Sequence, residues 1–189
     1  MKKGLIAILA IVAVVIIIAI SFASSYNGFI NKEEAVKTAQ STISVQLQRR
    51  ADLIPNFVET VKGYSEYEQS TFTAVTEARA KVAKASGAGE QAEASAELDK
   101  AIDIWVNAVT EAYPELKANE QYRALQDELA GTENRIAVAR KDYNDAASAY
   151  NKAVRRFPAN IVAGMFGFEK VEYFEADESA SQVPTVDFS

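Results

Sequence analysis

The 189-residue chain contains neither histidine nor cysteine. Their absence removes Ser-His-Asp and Cys-His nucleophilic machinery, Cys/His zinc sites, haem axial histidines and disulfides. A lipid anchor through cysteine is excluded too, whereas the redox compartment stays open, because a cysteine-free chain is tolerated on either side of a membrane. Strand patterns are missing: nowhere do apolar and polar residues alternate over a useful length. Positive charge is also short. The net charge is -6, with no basic footprint for nucleic acid, so no nucleic-acid partner is expected. Most of that charge sits at one end: residues 169–189 hold Glu169, Glu172, Glu175, Asp177, Glu178 and Asp187 against Lys170, leaving residues 1–168 close to neutral.

What is present begins with an apolar run. After Lys2 and Lys3, residues 5–20 are unbroken apolar sequence, extended by Phe22 and Ala23. About 19 residues at ~1.5 Å each can cross a hydrocarbon layer of ~30 Å. A cleaved signal peptide is the rival reading, since Ser21-Phe22-Ala23 fits a small-x-small cleavage pattern, but the core is longer than such peptides use. Lys2 and Lys3 precede the span directly, whereas Lys32 and Lys37 follow at a distance among Glu33 and Glu34. That bias places the amino terminus in the cytoplasm and the remainder outside it.

Apolar residues then recur at helical spacing: Val36, Ile43, Leu47, Ile54, Phe57, Val61, Tyr64, Val75 and Val82. Pro55 falls among them and either kinks or reverses the helix, because its ring displaces the carbonyl four residues earlier. Residues 86–89, Ser-Gly-Ala-Gly, read as a loop. A second helix carries Ala94, Leu98, Ala101, Trp105, Val109 and Ala112 on one stripe and stops at Pro114. The third repeats as a heptad through Tyr122, Leu125, Leu129, Thr132, Ile136, Ala139, Tyr143, Ala146, Tyr150, Ala153 and Phe157. Such a seam serves an antiparallel bundle or, less simply, a parallel coiled coil between chains. After Pro158, residues 160–168 are too short to span a membrane and read as a packed or interfacial element.

These elements predict an all-α fold: a transmembrane helix followed by an elongated antiparallel bundle of three long helices, or four if the chain breaks at Pro55. The expected segments are 1–4 as a cytoplasmic start, 5–23 as the span, 24–31 as a juxtamembrane linker, 32–168 as the bundle and 169–189 as an acidic, largely disordered tail.

The stretch RRADLIPNFVETVKGY at 49–64, with TENRIAVARKDYNDAASAYNKAVRRFPANIVAGMFGF at 132–168, resembles the LemA family of bacterial membrane proteins. The lead-in SYNGFINKEE and the YFE at 173–175 fit the same pattern, so the resemblance runs along nearly the whole chain. It implies a single-pass bacterial membrane protein with a helical-bundle domain and no settled biochemical activity; with the cation bias, the expected location is the bacterial inner membrane. One relative takes part in forming the magnetosome organelle.

Two polar constellations stand out. Arg49, Arg50 and Asp52 precede Pro55 and Asn56, with Arg50 at an otherwise apolar heptad position. They could form a docking site for a carboxylate, or Arg50 could pair with an acid of the third helix while Asn56 bonds backbone groups freed by the proline. Asn134, Arg135, Arg140, Tyr143, Asn144, Tyr150 and Asn151 flank the heptad seam, where such side chains fix helix register, and Phe157-Pro158 closes the motif. A di-metal carboxylate site needs Glu-x-x-His pairs that are missing here, and no phosphate-binding glycine loop follows a strand. No metal, cofactor or catalytic residue is expected. The sequence therefore predicts a non-catalytic, membrane-anchored scaffold or interaction protein of the bacterial envelope, acting as a homo-oligomer; the alternative is an adaptor or sensor subunit that regulates a membrane partner such as a protease or transporter.

Overall fold

A computed structural model describes residues 2–62 and 69–174, apart from the side chains of residues 2, 3, 62 and 69–71. Among the described residues every regular element is helical. In chain order these are α1 (Lys2–Lys62), α2 (Gln69–Lys84), α3 (Gly87–Ala112), a 3-10 turn (Pro114–Ala118), α4 (Glu120–Arg155) and α5 (Ala159–Phe166). The all-α expectation is borne out.

The first helix departs from the expected segmentation. The apolar run and the first bundle helix form one 61-residue helix, so residues 24–31 are helical rather than a linker. Nor does the chain break at Pro55, which lies inside α1 on its exposed side, flanked by the buried Ile54, Phe57 and Val58. Packing on both sides of the proline offsets the single backbone hydrogen bond that its ring removes. Tyr64 lies outside the described residues.

Local chemistry accounts for the other helix ends. The connection between α2 and α3 is only residues 85–86, shorter than the predicted loop, because Gly87 opens α3 at φ +84°, a left-handed conformation that costs other residues. The Glu90 carboxylate reaches back to accept from Ser86 N–H at 2.8 Å and from its hydroxyl at 3.2 Å. Pro114 starts the 3-10 turn, where its missing N–H is harmless. Asn119 Oδ1 then accepts from Tyr122 N–H at 3.1 Å and caps α4.

The chain forms two compact units: unit 1, Met1–Thr38 with Asn144–Val171, and unit 2, Ala39–Tyr143 with Glu172–Ser189. In unit 1, residues 4–21 are exposed throughout, and burial begins at Phe29 and Val36. Ala147, Tyr150, Asn151, Val154, Val162 and Ala163 supply the rest of its buried surface among the described residues.

In unit 2, α1 buries Ile43, Leu47, Ile54, Phe57 and Val61, α2 buries Val75, Ala78 and Val82, and α3 buries Leu98, Ile102, Trp105 and Val109. Phe57 is the centre of an aromatic nest, its ring 4.9 Å from Trp105 and 5.0 Å from Tyr122. Ala101, expected on the α3 stripe, is only half-buried, and Ala112 is exposed.

Along α4 the buried face is not a strict heptad. Tyr122, Leu129, Thr132, Ile136, Ala139, Tyr143 and Tyr150 follow the predicted seam, but Ala147 and Val154 are buried beside it, while Leu125, Ala146 and Ala153 are half-buried and Phe157 is exposed. A straight helix turns every 3.6 residues, so a stripe read at 3.5 drifts by about 20° per heptad and changes register after a few turns.

Candidate functional site

Among the described residues of unit 2, Arg50 is the most deeply enclosed charge, with 2% of its side chain exposed. It continues the series Ile43, Leu47, Ile54 and Phe57, so helical spacing alone aims the guanidinium into the apolar interior. There its Nε lies 3.1 Å from Asp99 Oδ1 of α3, an ion pair by distance without the alignment of a hydrogen bond. Its Nη1 donates to the Leu129 carbonyl of α4 at 3.5 Å and lies 3.8 Å from the exposed Glu133 carboxylate. The principal partner is thus an acid of α3; the expected acid of the third bundle helix, Glu133, is the more distant of the two.

Arg50 is not the sole polar side chain buried in unit 2. Thr132 and Ser95 are fully buried, and Gln91 donates to Ser44 Oγ at 2.7 Å. Burial pushes the Asp99 carboxyl above the usual carboxylate range, and the nearby Arg50 and Arg140 guanidiniums pull it back. Arg140 itself keeps Nε and Nη2 buried without a hydrogen-bond acceptor, its guanidinium 6.0 Å from the ring of Phe174. Phe174 also stacks edge-on against Tyr143 at 5.1 Å, and the Tyr143 hydroxyl donates to the Glu172 carbonyl at 2.9 Å. Enclosure raises the Tyr143 pKa above the ordinary phenol value.

The exposed neighbours have other partners. Arg49 and Arg135 share the Glu128 carboxylate, at 2.7 and 3.2 Å, and the hydrogen bond from Arg135 leads the lowering of the Glu128 pKa. Asp52 accepts from Gln48 at 2.8 Å and lies 3.7 Å from Arg79. Pro55, Asn56 and Asn134 are exposed and stand apart from the Arg50 cluster. Among the described residues, the bond at Asn56 runs through its backbone carbonyl, which accepts from the Thr60 hydroxyl at 2.9 Å.

In unit 1, Asn151 holds residue 171 by both ends of its amide. Its Nδ2 donates to the Val171 carbonyl and its Oδ1 accepts from the Val171 N–H, each at 2.9 Å. Residues 169–174 therefore carry no regular secondary structure but are tied at 171 and 172, while 175–189 of the expected tail lie outside the described residues. Tyr150 is buried, and that burial, with Glu33 adding to it, raises its pKa. Asn144 is half-buried. Phe157 is 76% exposed, Pro158 follows through a cis peptide bond, and α5 begins after it.

The polar residues singled out in sequence thus divide by unit. Arg50, Arg140 and Tyr143 gather in unit 2, Tyr150 and Asn151 in unit 1, and Arg49, Asp52, Asn134 and Arg135 lie at the surface. Asp99, the principal partner of Arg50, went unnoticed. Its signal was a charge next to Leu98 and three residues before Ile102, beside the apolar stripe. Among the described residues no group of His, Cys, Asp or Glu side chains is arranged to hold a metal ion.

A model of the LemA family matches residues 39–188, from the middle of α1 through the tail. The chain belongs to the LemA family. Relatives of this LemA-family chain include the magnetosome protein MamQ 2 of Paramagnetospirillum magneticum AMB-1, 28% identical over 95% of this chain and 74% of the relative. The magnetosome protein MamQ of Magnetospirillum gryphiswaldense is 26% identical over 85% of this chain and 68% of its own length. Protein LemA of Metamycoplasma hominis is 26% identical over 80% of this chain and 69% of its own. None of these names describes an enzyme. Together with an α1 long and apolar enough to cross a bilayer, family membership makes this LemA-family chain a membrane-associated protein.

Proposed function

We propose that this protein is a non-catalytic scaffold of the bacterial cell envelope, anchored by residues 5–23 in the inner membrane and assembled from several copies. The observation that carries the reading is α1 itself: a fully exposed apolar stretch that continues, as one helix, into a helical bundle. The buried charges fit a structural part, since Arg50 engages two other helices and Tyr143 and Asn151 hold the backbone of the C-terminal segment. Relatives named as magnetosome proteins fit an organising role at a cellular structure. Light scattering coupled to size exclusion in detergent tests assembly, and a strict monomer at every concentration removes that part. The cation bias favours a cytoplasmic amino terminus; a phosphatase fused after Ser189 should be active outside the cytoplasm, and a stable but inactive fusion reverses the orientation.

A second reading, an adaptor or sensor subunit regulating a membrane protease or transporter, draws on the exposed side of the Arg49 to Asn56 motif. With Arg50 turned inward, Asp52, Pro55 and Asn56 remain open on α1. A photocrosslinker at Asn56 discriminates: capture of copies of this chain favours the scaffold, and capture of one defined membrane protein favours the adaptor.

A further inference from the structure

Unit 1 leaves an apolar surface open beside the membrane-crossing stretch. On α5, Val162 and Ala163 are buried, whereas Ile161, Met165 and Phe166 are 49, 67 and 56% exposed. Ile161 and Met165, four apart, share one helix face. With Phe157 at 76% exposure just before the helix, four large apolar side chains lie within ten residues of sequence. A water-facing helix of eight residues gains nothing from such a surface.

Ring contacts fix where this surface sits. Phe166 meets Tyr26 at 4.9 Å, and Phe168 meets Tyr26 at 5.6 Å and Phe29 at 5.1 Å. Tyr26 is three residues beyond Ala23, or about 4.5 Å along the helix axis. The headgroup layer on each side of the hydrocarbon is about 5–8 Å thick. The end of α5 is therefore held at headgroup height. A shallow cavity of about 280 Å³, lined by Phe22, Ala23, Tyr26, Asn27 and Phe166, carries the apolar surface of the span across to α5 without a break. Lys152, Arg155 and Arg156 are exposed at the adjoining end of α4, with Lys170 and Glu169 after α5.

We infer that α5 is a membrane-surface foot, with Phe157, Ile161 and Met165 set among the upper acyl carbons of the bilayer and Arg155 and Arg156 at lipid phosphates. Short amphipathic elements flanked by cations partition in this way, and aromatic rings such as Tyr26 favour the same depth. The left-handed Gly167, at φ +73°, turns the chain back out of this layer toward the Asn151 contact. The inference rests on residues 5–23 spanning the bilayer.

The cysteine-free chain suits a direct test, because one introduced cysteine takes a nitroxide label alone. Full-length Ile161→Cys and Met165→Cys proteins, with Ile11→Cys and Ala35→Cys as references, are reconstituted in nanodiscs of phosphatidylcholine and phosphatidylglycerol. Collision rates with oxygen and with a water-soluble nickel chelate are then measured. All four positions are exposed, so labelling leaves the packing intact. At 161 and 165 oxygen collisions should exceed nickel collisions several-fold, at a depth shallower than at 11. At 35, ~18 Å beyond the span, nickel should dominate. Nickel dominance at 161 and 165 overturns the foot while a deep label at 11 preserves the anchor. Low collision rates with both reagents at 161 and 165 overturn it as well, because they mean that protein covers α5. A water-like label at 11 takes down the anchor and the foot with it.

Discussion

Replacing Arg50 with methionine isolates the value of the buried charge in unit 2. Methionine fills most of the volume and keeps the apolar contacts with neighbouring helices, but it leaves the Asp99 carboxylate without the guanidinium 3.1 Å away. Breaking a buried pair from one side costs ~3–5 kcal/mol. Asp99 is 26% exposed and still has Arg140 nearby, so the lower end applies, about 3 kcal/mol or roughly a hundredfold in the unfolding equilibrium. Glu133, at 64% exposure, adds little. The sole tryptophan, Trp105, is 3% exposed in unit 2 and reports its unfolding in urea without an added probe. The pH dependence has a definite sign. Folded Asp99 has a raised pKa, so its protonation favours the folded state at low pH, and that contribution is lost as pH rises through the folded value. Without Arg50 the pKa rises further. The Arg50→Met defect should thus be largest at neutral pH and shrink as pH falls toward ~4. Combining it with Asp99→Leu should restore stability to within about 1 kcal/mol of the parent. A midpoint shift worth less than ~1 kcal/mol at neutral pH, or a defect that grows on acidification, would refute the reasoning.

Other perturbations follow from the same contacts. Asn151→Ala removes two backbone hydrogen bonds to Val171; at about 1 kcal/mol each, the segment should open roughly thirtyfold more often, read as faster trypsin cleavage after Lys170. Asn151→Asp keeps the acceptor, so its effect should fall between Asn151→Ala and the parent. Gly167→Ala places a side chain at φ +73° and should destabilise by about 1 kcal/mol, whereas Gly164→Ala, with nothing within 4 Å of the added carbon, should be neutral or stabilising by a similar amount in thermal melts. Phe57→Ala, emptying the centre of the aromatic nest, should cost about 3–5 kcal/mol and shift Trp105 emission to the red.

Most of the fold was legible because burial in a helical protein follows period. Ile43, Leu47, Ile54, Phe57 and Val61 stood out in sequence and are all buried, and even Arg50 betrayed itself by occupying their stripe. Helix continuity was less legible. Glycine and proline punctuate a sequence, yet Pro55 sits inside a helix whose packed flanks outweigh one lost hydrogen bond, and Gly87 belongs to α3 rather than to a loop. The partners of Arg50 were hidden for a different reason. Spacing within one helix says which face a residue occupies but not which residue of another helix stands opposite, so Asp99 drew no notice. The two-ended hold of Asn151 on Val171 was illegible too, since Val171 lies in a stretch whose acidity suggested disorder.

That hold has a consequence for how the C-terminal segment can vary. Asn151 grips main-chain atoms alone, as a neighbouring strand would, and reads nothing of the side chain it holds. The seat at 171 is therefore indifferent to spelling: any residue with an amide hydrogen can occupy it. Proline is the exception, because it offers the carbonyl but not the N–H. Substitution can accordingly change the side chain at 171 while the hold of Asn151 on its backbone stays in place, whereas Phe174, buried against Tyr143, is bound to its own side chain.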